Sequence, residues 1–207
     1  MHAVILDMDG TIFDTERVYH DAWIAAGVPE SLYFRLIGRG RNEIVSIFRK
    51  ELTTPPEVLF DRCNAERDRI LSAGIPKKPG LDVLLKYLKQ KKYRVALATS
   101  SQTPTAERNL TRAGVRSNFD AVIGGDQVEH GKPAPDIYLK AARAIGCLPA
   151  DCAVVEDSFN GVRSAHAAGM YPIMVPDLEK PDAEMQKLAA AIVPSLADVP
   201  AVLEARA

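Results

Sequence analysis

Short apolar runs recur along the chain, at 3–6, 94–98, 121–123, 152–155 and 171–175, and the first, second and fourth stop abruptly at Asp7, Thr99 and Glu156. Each is too short for a helix. Continuous apolar character, without alternation, marks a strand buried on both faces. Between these runs the period changes. Leu81, Leu84, Leu85 and Leu88 share one face of a helix predicted over 81–91, entered through Pro79-Gly80. Further helices are expected over 104–113, capped by Thr103 or Ser101 and ended by Gly114, over 135–145 before Gly146, and over 161–168 before Gly169. This alternation predicts an α/β fold: a doubly wound parallel sheet covered on both faces.

Residues 14–78 break that rhythm. Helical patterns over 16–26, 30–37, 42–52 and 57–73 are separated by Gly27-Val28-Pro29, Gly38-Arg39-Gly40 and Thr53-Thr54-Pro55-Pro56, with no strand pattern among them. The expected organisation is a catalytic core formed by 1–13 and 80–207. Residues 14–79 form an inserted all-helical cap, expected to sit over the strand ends like a lid.

Composition narrows the function. Lys plus Arg number 26 and Asp plus Glu 27, a balance with no general pull toward nucleic acid or an acidic membrane. The 47% apolar content is ordinary for a globular protein with a full core. No apolar run approaches the length of a membrane span, and the chain enters its first strand without a leader-like start. Cys63, Cys147 and Cys152 lack Cys-x-x-Cys spacing, so neither a disulfide framework nor a zinc site is expected, and a reducing cytoplasm is the expected location.

Candidate chemistry gathers where the predicted strands end, the place where open α/β sheets bind ligands. Asp7-Met8-Asp9-Gly10-Thr11 follows the first strand. Its two carboxylates are expected to face different ways, Asp7 to attack or to ligate a metal and Asp9 to handle a proton, while Gly10 lets the chain turn sharply. Thr99-Ser100 follows the second strand; a hydroxyl with N–H groups leading into a helix makes an anion cradle, or simply a cap. Lys132 sits in Gly131-Lys132-Pro133-Ala134-Pro135-Asp136, where the prolines stiffen the loop and an ammonium suits phosphate; an ordinary surface lysine is the plainer reading. Glu156-Asp157-Ser158 ends the fourth strand. Adjacent carboxylates are costly unless something positive binds them, and hard oxygen ligands suit Mg²⁺; the plainer reading is a solvated acidic cap.

Taken together and in this order, the four signals and the helical insertion resemble the haloacid dehalogenase superfamily of phosphotransferases, and more closely its β-phosphoglucomutase-like branch. The resemblance covers nearly the whole chain and implies a Rossmann-like core. It implies that Asp7 is the nucleophile that becomes an aspartyl phosphate, and that Asp9 protonates the leaving alcohol and then deprotonates water. Thr99, with Ser100 beside it, would hold the transferring phosphoryl group, and Lys132 would bridge phosphate and Asp7. Mg²⁺ would be held by Asp7, the Asp9 backbone carbonyl and Asp157, with Glu156 acting directly or through water. The second aspartate argues against dehalogenation.

In the insertion, Arg41 matches a cap arginine that grips a distal phosphate. Tyr19 stands where many relatives carry a cap histidine; His20 would face elsewhere on the helix, and Trp23 reads as cap packing. Lys77 and Lys78 read as a solvated hinge. With no match for the cap histidine or its lysine partner, the expectation is hydrolysis of a small phosphorylated metabolite by a cytoplasmic monomer that contacts neither nucleic acid nor membrane. A β-phosphoglucomutase-type phosphosugar mutase is the alternative. More remote are a phospho-accepting receiver domain, for which the insertion has no purpose, and a catalytically silent binding protein.

Overall fold

The structure, a computed structural model, describes residues 1–36, 41–177 and 179–206. Strand β1 (Ala3–Leu6) is followed by four helices, α1 (Thr15–Ala26), α2 (Glu30–Tyr33), α3 (Arg41–Glu51) and α4 (Pro56–Ser72). Then come α5 (Leu81–Gln90), β2 (Arg94–Thr99), α6 (Thr103–Arg112), β3 (Ala121–Gly124), α7 (Asp136–Ala144), β4 (Cys152–Glu156) and α8 (Phe159–Ala167). The chain closes with β5 (Tyr171–Met174), α9 (Met185–Leu188), β6 (Ala191–Ile192) and α10 (Val199–Glu204). All six strands are parallel, in the order β3-β2-β1-β4-β5-β6. Strand order reverses direction at β1, which makes its C-terminal end the switch point of the sheet.

Register explains why the motifs meet. Leu6 lies opposite Leu97 of β2 and Val155 of β4, so Asp7, Thr99 and Glu156 all emerge at the same edge. The ladder runs one residue further, through Asp7 N–H to Val155 O at 3.0 Å. On one face of the sheet Ala3, Ile5, Ala96, Ala98 and Val154 pack with Ile137, Tyr138 and Ala141 of α7. The predicted stripe on α5, Leu81, Leu84, Leu85 and Leu88, is buried.

The chain divides into two compact units, Met1–Asp14 with Pro76–Ala207, and Thr15–Ile75. The second unit has its own core, in which Trp23 meets Phe48 and Phe60 edge to face at centroid distances of 5.4 and 5.1 Å. Trp23 is thus a packing residue of this unit, as the sequence pattern suggests. His20 lies edge-on to Tyr33, between Asp21 and Glu30.

Several local expectations are corrected. The helix expected over 30–37 is a single turn, α2; Ile37 and the Gly38-Arg39-Gly40 break lie outside the described residues. Neither Thr103 nor Ser101 caps α6. Asp126, from the turn after β3, accepts the Thr103 backbone N–H at 2.6 Å and its hydroxyl at 2.8 Å instead. A distant carboxylate thus supplies what a local hydroxyl was expected to supply. Strand β6 has only two residues, too few to leave a hydrophobic pattern.

Candidate active site

Gly10 shapes the first loop. Its φ of +81° is one that other residues rarely adopt, and a Cβ there would overlap the Asp157 carboxylate. Its N–H reaches Phe13 O, while Ile12 and Phe13 both donate to Met8 O, so the chain curls back at once. In a continuing strand Asp7 and Asp9 would share a face. The turn separates them: Asp7 faces Lys132, whereas Asp9 Oδ2 accepts from Ser101 Oγ at 2.7 Å and Thr99 Oγ1 at 3.5 Å. Thr99 Oγ1 also accepts the Ser101 N–H at 3.0 Å, which fixes the loop after β2, while the two bonds to Asp9 tie it to the loop after β1.

Lys132 is no surface lysine. Its side chain is 6% exposed, and its ammonium donates to Asp7 Oδ1 (2.6 Å), Glu156 Oε1 (2.7 Å) and Ala98 O (3.3 Å). Those three bonds use all three of its protons. Glu156, fully buried, is as completely engaged. Oε1 accepts from Lys132 and from Tyr138 OH at 3.0 Å, while Oε2 accepts from the Ser158 N–H at 2.7 Å and Oγ at 3.0 Å. A Cβ at Gly161 would collide with this carboxylate, so glycine there lets α8 start hard against it. Asp157 accepts from Thr11 Oγ1 at 2.5 Å.

One oxygen from each of Asp7, Glu156 and Asp157 lies within 4.8 Å of the others. Lys132 is the ammonium shared within this cluster of three carboxylates. Burial, reinforced by Glu156 and Asp9, pushes Asp7 up to about 8 in spite of Lys132. Burial with Glu156 and Asp7 nearby likewise raises Asp157. Burial opposes the charge on Lys132, but Asp7 and Glu156 outweigh it and hold the ammonium protonated well above its ordinary range. Hard oxygen donors with excess negative charge, arranged this way, suit a divalent cation.

The remaining candidates sort differently. Ser100 is exposed and does not reach Asp9; it lines a cleft of 340 Å³ with Gln102, Asp126 and Lys132. Ser101, which the sequence offered only as a helix cap, makes the bond to Asp9. Three consecutive hydroxyls signalled a site there without saying which one points inward. Lys78 corrects the solvated-hinge expectation: its side chain is 13% exposed and pairs at 2.6 Å with Asp177, 6% exposed, after β5. The return segment is further fixed by Asp14 N–H to Pro76 O and Lys78 N–H to Ile12 O. In the helical unit, the Arg41 guanidinium lies 4.0 Å from the Phe60 ring centroid, and Arg67 lies 5.9 Å from that of Tyr19. Cys63, Cys147 and Cys152 are free thiols.

Comparison with known proteins agrees with this geometry. The haloacid dehalogenase-like hydrolase profile matches residues 1–169. The chain belongs to that hydrolase family. Among its curated relatives is the phosphorylated carbohydrates phosphatase of Thermotoga maritima, 35% identical over 181 residues that span 84% of each chain. The β-phosphoglucomutase of Bacillus subtilis is 33% identical over 190 residues, covering 84% of this chain and 83% of that one. A crystal structure of a candidate β-phosphoglucomutase from Thermotoga maritima superposes with a TM-score of 0.86 at 32% identity, covering 99% of both chains. This hydrolase has, among its described residues, no helix long and apolar enough to cross a membrane.

Proposed function

We propose that this hydrolase is a Mg²⁺-dependent phosphatase of small phosphomonoesters, sugar phosphates foremost, that works through an aspartyl phosphate. The observation that carries the reading is the Lys132 ammonium 2.6 Å from Asp7, beside the buried Glu156 and half-buried Asp157 carboxylates. An anionic nucleophile meets an anionic phosphate only where positive charge offsets the repulsion. Asp7 attacks phosphorus as the ester P–O bond breaks, and Asp9 gives its proton to the leaving alkoxide. Asp9 then takes a proton from the water that attacks the phosphoaspartate, which releases inorganic phosphate and free Asp7. Thr99 steadies the phosphoryl oxygens. The weak Lys132 bond to Ala98 O is the one to exchange for a phosphoryl oxygen.

Asp7, the Asp9 carbonyl and Asp157 would hold Mg²⁺, which supplies charge neutralisation of the phosphoryl oxygens. Glu156, its acceptor directions filled within the protein, acts on Lys132 and reaches the cation only through water. The helical unit is read as the cap, with Arg41, Tyr19 and the cleft-lining Ser100 contacting substrate, in a cytoplasmic monomer. The relatives include phosphatases of phosphorylated carbohydrates and of fructose 1-phosphate, which supports the substrate class. Release of inorganic phosphate from a panel of phosphorylated metabolites with Mg²⁺, abolished in Asp7→Asn, tests the reading. Conversion of β-glucose 1-phosphate to glucose 6-phosphate without net phosphate release would replace it with a mutase.

A further inference from the structure

Tyr138 brings a polar atom into an apolar layer. It lies on α7, fully buried against Ala3, Ile5, Ala96 and Ala98, where a phenyl ring would fill the same space. Its hydroxyl donates to Glu156 Oε1, the same oxygen that receives Lys132 at 2.7 Å, and the ammonium lies 4.9 Å from the ring centroid. Burial holds the phenol well above its ordinary range, so it stays a donor. Without the hydroxyl, Oε1 would keep Lys132 alone, and the carboxylate could rock about its two Ser158 bonds. Lys132, held by Glu156, would move with it.

We propose that Tyr138 is a positioning residue: its hydroxyl locks Glu156 so that the Lys132 ammonium stays aimed at Asp7 Oδ1. The inference rests on the reading of Asp7 as nucleophile. It matters because an error of about 1 Å in the placement of a reacting group can cost about a hundredfold in rate.

The test is Tyr138→Phe, assayed with p-nitrophenyl phosphate. The expected result is a fall in kcat of about tenfold, with KM and the Mg²⁺ concentration for half-saturation both within about twofold of wild type. Replacing Tyr138 by 3-fluorotyrosine keeps the donor and should keep kcat within about threefold, a rescue that packing alone would not distinguish. It also serves if Tyr138→Phe does not fold. Unchanged kcat in Tyr138→Phe overturns the inference, as does an equal loss with fluorotyrosine or a loss matched by a shift in Mg²⁺ half-saturation. Beryllofluoride, which adds to a carboxylate as a phosphoryl mimic, supplies a readout without turnover. Its affinity with Mg²⁺ present should weaken about tenfold in Tyr138→Phe. Wild-type protein that binds beryllofluoride but hydrolyses no ester would overturn the phosphatase reading alone, and the ratio between the two proteins would still decide the role of Tyr138.

Discussion

Asp7 and Lys132 are 125 positions apart in the chain and 2.6 Å apart in space, Asp7 at the end of β1 and Lys132 in the loop that leads into α7. In the helical unit, by contrast, Arg41 rests on Phe60 of an aromatic core, and the exposed Tyr19 lies beside Arg67. The sheet unit over-determines its polar groups: Lys132 and Glu156 have every proton and acceptor direction assigned. The helical unit fixes its apolar interior and carries its ion pairs at the exposed surface, Arg35–Glu51 and Arg69–Glu66 among them. Buried, fully bonded polar groups in the sheet unit and exposed, solvent-screened ion pairs in the helical unit predict that surface changes in the helical unit are the better tolerated.

The contrast can be broken first at its most constrained point. Asp7→Asn should lower phosphate release by at least about a thousandfold, since the nucleophile has no substitute; residual activity near wild type would remove Asp7 from the mechanism. Trp23→Ala strikes the core of the helical unit and should destabilise that unit by roughly 3–5 kcal/mol, the usual cost of emptying a buried indole site. Calorimetry should then show the sheet unit melting where it did before; a concerted shift of the whole protein would mean that the two units unfold as one.

The buried Lys78–Asp177 pair tests the return segment. Lys78→Met strands a carboxylate that already has one unpartnered oxygen, and should cost about 3 kcal/mol of thermal stability. The double change Lys78→Met with Asp177→Leu should recover most of that loss. A single mutant as stable as wild type would show that the pair contributes nothing.

Metal binding offers a finer probe. With Asp7 pushed up to about 8 by burial, a proton occupies the carboxylate below that pH and must leave before a cation can bind. Asp157, also raised by burial, competes for protons in the same way, so Mg²⁺ affinity of the ligand-free protein, measured by calorimetry, should fall by at least about tenfold per pH unit from pH 8 to 6. A flat profile would mean that Asp7 is already ionised across the range. The smallest effect is expected from Arg41→Ala, a rise of roughly fivefold in KM for a phosphorylated substrate with kcat unchanged, because it removes binding shared by ground and transition states. A fall in kcat would move Arg41 from recognition into the chemistry.

Much of the sheet unit was legible in the linear chain because its strands announce themselves as short apolar runs and its reactive groups stand where those runs stop. Asp7, Asp9, Thr99, Glu156 and Asp157 could be named as candidates from that rule, whereas Lys132, in the loop between β3 and α7, needed the order of the motifs as well. Trp23 could be placed inside its helical unit for a similar reason, helical spacing among apolar neighbours. Other partners depend on contacts between distant segments. Ser101 at Asp9, Asp126 at the start of α6, Tyr138 behind Glu156 and Asp177 on Lys78 are pairings that span from 18 to 99 positions. Periodicity and turn chemistry act over a few residues, so they can say where a strand ends and which residue types stand there. Which hydroxyl turns inward, and which lysine is buried on a carboxylate, follows from the packing of helices against the sheet, and that exists only once the chain has folded.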